Sequence, residues 1–406
     1  LIALQVDRKA KKLSLFFAMH KYTRRDILTG LASLSGLGIV HMALGRTHAA
    51  TSTSGASQRI TRYEVIPVRV PMHERVREVF AEVYRQQGIN RDYYDSTLIK
   101  LYTDEGLVGV GDALLNVEDS LGSVPKAEEI CKRLIGHSPW EFLLDDSLGG
   151  VLMAVYDLIG QAAGLPVSRL FAPDPKTHTV QTWWSQCFPP DLMASEAKLG
   201  YDLGYRVHKV KTRPFEDPVQ QAEAVTSAVP DDFRIWADTN GTWETPEQSI
   251  KFGKRLTRFP QYFAIETPCE RYNVDSFRQL KGRFPLKLAE HFPDKPMPFI
   301  REKLLDALVT GGPIGKTLVQ RALMAEVTGI PLWVQHSIFT GVAQVFQAHQ
   351  AAAFPGIEHA VSITHVIQDD LMIEPFKMKD GLYEVPTKPG LGVHFDDEAV
   401  DNYRRG

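Results

Sequence analysis

From Thr179 onward the chain repeats one unit, a short apolar stretch followed by an amphipathic helical one. The apolar stretches are "TVQTWWSQ", "RVHKVKT", "RIWADTN", "YFAIETP", "PLKLAEH", "DALVTG", "PLWVQH" and "EHAVSI". Runs of this length read as buried strands, and strands that alternate with helices lie parallel, because the helix is what carries the chain back. Eight such units close on themselves as a (β/α)8-type, TIM-like barrel. An open doubly wound sheet is the competing arrangement, but no Gly-rich dinucleotide fingerprint follows any of the strands.

The preceding residues follow another pattern. "RITRYEVIPVRVPM" alternates apolar and polar residues like a half-buried strand, and "STLIKLYTDEGLVGVGDA" reads as a hairpin turning at Asp104, Glu105 and Gly106. Helical spacing follows over 123–134 and through "LLDDSLGGVLMAVYDLIGQAAGLPVSRLF". The expected organisation is an extension, export signal and linker over 1–58, an α+β capping domain over 59–178, the barrel over 179–375 and a C-terminal segment over 376–406 that returns to the cap. A chain of 406 residues, 44% hydrophobic, can bury cores for both. Its net charge of -3 offers no basic surplus for phosphate backbones, which argues against a nucleic-acid partner. Cys131, Cys187 and Cys269 are too scattered for a zinc or disulfide framework and read as small buried residues.

Near the N-terminus, "YTRRDILTG" sets Arg24 and Arg25 before an apolar run, Ile27 to Leu44, that carries no charged side chain up to His41. This looks like a twin-arginine export signal, with Ala49 and Ala50 as small residues for cleavage and Met19 as the start. Residues 1–18 then read as an upstream extension. Gly30, Gly36 and Gly38 interrupt the run, so no lasting membrane anchor is expected and the processed protein would be periplasmic.

In a parallel barrel the C-terminal ends of all strands face one rim, where the catalytic groups of this architecture gather. Asp238 ends the third strand, Glu266 the fourth and Glu290 the fifth. Three carboxylates on adjacent tips repel one another unless a hard cation with oxygen ligands, Mg²⁺ above all, lies among them. The tips are read as free of His and Cys, which disfavours zinc. Lys209 and Lys211 share one face of the second strand, so each should depress the other's pKa and leave one able to act as a base. An isolated Lys-x-Lys would ordinarily be a solvated face, but a barrel strand has none. His336 ends the seventh strand, across the rim from the lysines.

These motifs, with "AVYDLIGQAAGLPVSRLF", "GYRVHKVK", "WADTNGTW", "GIPLWVQHS" and the closing "PTKPGLGVHFD", resemble in order and spacing the enolase superfamily, and within it the mandelate racemase-like members. The likeness runs from about residue 59 to the end. It implies that Asp238, Glu266 and Glu290 bind Mg²⁺, that Lys211 takes the proton next to a substrate carboxylate, and that Lys209 tunes Lys211 and touches that carboxylate. It also implies that His336 serves the opposite face and Asn240 lines the site, in a homo-oligomer acting on a small carboxylate.

The chain departs from the pattern in two places. Members with a catalytic histidine usually support it with an aspartate at the end of the sixth strand, where Gly311 stands here; the lysine of the muconate-lactonizing and dipeptide-epimerase branches is missing there too. The eighth-strand glutamate is not evident, with Ser362, Thr364 or His365 nearby. In the cap, the stretch from Met72 to Asp95 is read as a substrate loop whose Arg75, Arg77, Arg85 and Arg91 suit an anionic or polyhydroxy substrate, and whose Tyr84, Tyr93 and Tyr94 suit an apolar one. Trp183 and Trp184 either pack under the substrate or fill the barrel. The substrate contacts expected are therefore Asn240, Trp183, Trp184, His365 and Arg91. The resulting expectation is a Mg²⁺-dependent acid-sugar dehydratase, with a racemase or epimerase of a 2-hydroxy acid as the alternative and a non-catalytic carbohydrate-binding barrel as the third reading.

Overall fold

In the computed structural model, Ile66, Val68 and Val70 are buried at alternate positions of strand β1 (Ile60–Pro71), the period a half-covered sheet requires. It pairs antiparallel with β2 (Tyr93–Thr103), which turns at Gly106, φ +85°, into β3 (Val108–Asp112). The structure describes residues 58–86, 92–113, 123–212, 217–335 and 340–405, the side chains of 83–86 and of 123 excepted. The export segment, His336 and Arg91 lie outside them.

Three helices accompany this sheet, Glu74–Gln86, Ser123–Leu134 and Leu152–Ala163. The first corrects the expectation of a loop after Met72, because Val76 and Phe80, one helical turn apart, are buried. Its Phe80 ring lies 6.1 Å from that of Trp184 at the barrel mouth. The helix Leu152–Ala163 presses on β3 so closely that a Cβ at Gly109 would meet the carbonyl oxygen of Ala154 and come within 2.6 Å of Leu158 Cγ. Gly109→Ala is expected to cost about 2 kcal/mol by overpacking, read as a lower thermal midpoint; an unchanged midpoint would show that the hairpin is not held this way.

Among the described residues, the eight apolar runs are the strands β4 (His178–Ser185), β5 (Val207–Lys211), β6 (Arg234–Asp238), β7 (Tyr262–Glu266), β8 (Lys287–His291), β9 (Ala307–Thr310), β10 (Leu332–Val334) and β11 (Ile357–Ser362). They pair in parallel in that order, and β11 closes on β4 through Ala360↔Gln181 to Ser362↔Trp183. The helix starts were written locally: Asp217 and Thr245 cap helices that begin with Pro218 and Pro246. Inside the barrel the rings of Trp236 and Trp333 stack with centroids 4.4 Å apart.

The last residues serve both halves. β12 (Met378–Lys379) and β13 (Leu382–Glu384) form a hairpin whose second strand pairs with the start of β4, so this portion sits on the barrel and not on the cap. Further on, Arg404 bridges Val68 of β1, and the Arg405 N–H donates to the Pro67 carbonyl at 2.9 Å. The buried Asp157 binds both ends together: its Oδ2 accepts the Val110 N–H at 2.8 Å and its Oδ1 the Leu391 N–H at 2.7 Å. Arg75 of the cap helix crosses to the barrel, where it meets the buried Glu196 at 2.6 Å and the His365 carbonyl at 2.7 Å.

Candidate active site

Strand register stacks the polar residues in layers. Lys211, Asp238 and Glu266 are lateral neighbours on β5, β6 and β7, and one layer below them lie Trp184, Lys209, Trp236 and Ala264. Residues paired across parallel strands point the same way, so the two lysines, Asp238 and Glu266 face a common interior. Glu290, on β8, is one position beyond the register partner of Glu266.

The geometry of the charges follows from this stacking. Lys209 Nζ lies 2.9 Å from Asp238 Oδ2 and 2.7 Å from Glu266 Oε2, and it also donates to Gln335 Oε1. Lys211 Nζ donates to Asp238 Oδ2 at 2.6 Å and to Asn240 Oδ1 at 2.7 Å. Asn240, expected to line the site, therefore does so by holding Lys211, at a backbone φ of +51°. Glu266 receives two more donors, Trp236 Nε1 at 3.1 Å and Gln335 Nε2 at 3.2 Å, and His291 Nε2 stands 3.3 Å from its Oε1.

These contacts split the two lysines instead of depressing both. Burial lowers the Lys211 pKa below its ordinary value, and the Lys209 charge adds to this against the pull of Asp238. Burial acts the same way on Lys209, but Asp238 and Glu266 outweigh it and hold that ammonium above its ordinary value. Asp238 resists its own burial through the two lysines and stays well below the usual carboxylate range. The expectation of mutual depression is thus met at Lys211 alone.

Whether the carboxylates suit a divalent ion turns on Glu290. Its Oε1 accepts the Thr267 hydroxyl at 3.0 Å and the His291 N–H at 2.6 Å, whereas its buried Oε2 has no hydrogen-bond partner. Burial, with the charge of Glu266 adding to it, pushes this carboxyl up to about 7. A buried acceptor left unpaired is costly, and a hard cation would relieve it. Asp238 and Glu266, by contrast, are already paired with Lys209, and Asp238 with Lys211 as well. Among the described residues no three His, Cys, Asp or Glu side chains stand close enough, as placed, to clasp one ion. The donor set fits Mg²⁺ in type, while a lysine holds the positive charge between two of its members.

Thr267, which steadies Glu290, has φ +47°, a conformation that is strained for a β-branched residue. Two of the expected substrate contacts face elsewhere. Trp183 has the opposite parity to Trp184, and a Cβ on Gly200 of the surrounding helix would lie 2.7 Å from its Cγ. His365 stacks on Trp183 with ring centroids 3.3 Å apart and donates from Nε2 to the Trp184 carbonyl at 2.8 Å. Both are therefore corrected to packing roles outside the barrel interior, and burial holds the His365 imidazole neutral. Trp184 faces inward beneath the cap.

The capping arginines and tyrosines whose side chains are described are also engaged. Arg75 is bound to Glu196, Arg77 Nε donates to the Met72 carbonyl at 3.3 Å, Tyr94 is buried, and Tyr93 lies under Arg69. Gln335 and His291 are the site residues that sequence reasoning missed, and His291 corrects the expectation of histidine-free tips. A Cβ at Gly311 would strike the Gln335 carbonyl oxygen, so a side chain has no room at that place.

A family model described as Enolase C-terminal domain-like matches residues 192–399, just over half of the chain. The D-gluconate dehydratase of Thermoproteus tenax is 22% identical over 404 residues, covering 89% of this chain and 80% of that protein. Among solved structures, the N-succinyl Arg/Lys racemase from Bacillus cereus superposes with a TM-score of 0.71 at 20% identity, covering 86% of this chain and 98% of that one. A dipeptide epimerase from Enterococcus faecalis, solved with Mg and the dipeptide L-Leu-L-Tyr, gives a TM-score of 0.68 at 19% identity over 82% of this chain and 99% of that one. At such identities the structural likeness establishes the fold.

Proposed function

The chain belongs to the enolase superfamily, and we propose that within it the protein is a Mg²⁺-dependent acid-sugar dehydratase. The observation that carries this reading is the packing of Gly311 against the Gln335 carbonyl, which leaves no place for a carboxylate behind a second catalytic base. Racemisation needs competent bases on both faces of the substrate carbon; loss of water needs one base and one acid. The curated dehydratase relative supports the same choice.

Lys211, largely buried and held by Asp238 and Asn240, is the base. In its neutral form Nζ takes the proton from the carbon next to the carboxylate, and the electron pair of that C–H bond forms a double bond to the carboxyl carbon. The pair then moves to the neighbouring carbon as its C–O bond breaks, and the hydroxyl leaves with a donated proton as water. The enol that remains becomes a 2-keto acid. His336, outside the described residues, is assigned the donor's part by the resemblance alone. Lys209, kept charged, holds the substrate carboxylate. Asp238, Glu266 and Glu290 would hold Mg²⁺, whose charge there stabilises the enediolate.

The test is a panel of acid sugars, and both enantiomers of a small 2-hydroxy acid, incubated with Mg²⁺ in deuterated water. One stereoisomer class should give 2-keto product with negligible racemisation, and chelation should stop it. Rapid interconversion of enantiomers without loss of water would make the protein a racemase instead. Substrate binding with no exchange at all would leave the non-catalytic barrel.

A further inference from the structure

Glu266 has no free acceptor position. Lys209 and Trp236 donate to its Oε2, and Gln335 and His291 crowd its Oε1. Lys209 is equally saturated, its ammonium distributed among Asp238, Glu266 and the Gln335 carboxamide oxygen Oε1. Among the described residues Gln335 touches both partners by complementary ends, accepting from the lysine through Oε1 and donating to the glutamate through Nε2. It reaches this position because Trp333, two residues earlier, already points into the barrel against Trp236.

An ion entering among the carboxylates therefore competes with an ammonium already in place. We propose that Gln335 is a positioning residue for metal uptake, supplying the acceptor that Lys209 keeps when a divalent ion takes over Asp238 and Glu266. The inference rests on the metal-dependent reading above and adds to it a lysine-for-ion exchange governed by a carboxamide. A buried ammonium needs its hydrogen bonds satisfied. With the Gln335 oxygen present, Lys209 can give up the carboxylates and remain bonded; without it the lysine holds to them and the ion competes less well.

The experiment is Mn²⁺ binding to the substrate-free protein, followed by the loss of the free-ion electron paramagnetic resonance signal, for wild type, Gln335→Leu, Gln335→Glu, Lys209→Met and the double variant Lys209→Met/Gln335→Leu. Gln335→Leu should weaken binding about ten-fold. Gln335→Glu, which keeps an acceptor for the lysine, should restore affinity to at least the wild-type level. Lys209→Met should bind more tightly than wild type, and adding Gln335→Leu to it should change nothing further. If Gln335→Leu binds like wild type, or weakens binding equally when the lysine is absent, the exchange role is overturned while the metal reading stands. If wild-type protein binds no Mn²⁺ at millimolar concentration, the metal reading falls and this inference with it. Retained near-ultraviolet circular dichroism in each variant separates these outcomes from misfolding.

Discussion

Replacing Lys211 by alanine is expected to slow exchange of the substrate α-proton with deuterated solvent by roughly 10³-fold or more, the scale lost when a positioned base is removed. The ammonium is largely buried and fixed by Asp238 at 2.6 Å and Asn240 at 2.7 Å, and Lys209 cannot take its place without abandoning Asp238 and Glu266. Divalent-ion binding should survive, because the variant removes a positive charge from beside Asp238 and leaves all three carboxylates. Exchange at the wild-type rate would mean that a different group is the base. Lost ion binding would mean that Lys211 supports the site and does not act on substrate.

The second large effect is structural. Arg75→Ala strips the buried Glu196 of its cation, and breaking one side of a buried pair costs about 3 kcal/mol or more at neutral pH. The sign of the pH dependence follows from the direction of the shift. Burial raises the Glu196 pKa in the folded protein, and Arg75 opposes it only in part. The folded state therefore binds this proton more tightly than the unfolded chain, where a glutamate titrates near about 4.3. The group's contribution is present below that value and is lost as pH rises through the folded pKa. Of the other titratable groups at the clasp, burial holds the His365 imidazole neutral, and burial together with the Arg75 charge lowers the pKa of His73, whose Nδ1 accepts the Arg75 N–H at 3.4 Å. Removing Arg75 raises the Glu196 pKa further, so denaturation midpoints of variant and wild type should lie close near pH 4 and separate toward pH 8. A gap independent of pH would show that lost packing, not the stranded charge, is responsible.

The sequence announced the barrel because alternation of strand and helix is a local signal repeated eight times, and local signals survive without knowledge of contacts. Asp238, Glu266 and Lys211 were legible for the same reason, since each ends a strand whose rim is set by the architecture, and Lys209 follows from the two-residue period of its strand. The cap helix was missed because its stretch is rich in arginine and glutamate, and its apolar face is carried by few residues, Val76 and Phe80 among them. Trp183 and Trp184 were named together although neighbours on a strand face opposite ways. The parity of Lys209, register partner of Trp184, would have chosen between them. Gln335 stands inside "GIPLWVQHS" but carries no charge, so nothing in its own identity separates it from its neighbours; the inward parity of Trp333 was the available clue. Arg75 was misassigned because its partner, Glu196, lies 121 residues away. Pairings at that distance leave no trace in local pattern.

Asp157 joins the hairpin at Val110 to Leu391, 234 residues after Asp157 itself. During synthesis that second partner is delivered only when all eight barrel strands have already left the ribosome. Closing so long a loop through an unstructured chain is entropically unfavourable, and a barrel assembled in between shortens the excursion the chain must make. Connectivity thereby makes this contact a late one: the hairpin, its helix and all eight barrel strands are synthesised before the segment that Asp157 holds. A chain arrested before residue 391 would keep the Arg75 clasp on Glu196 and the His365 carbonyl but lack the tie that Asp157 makes to its closing segment.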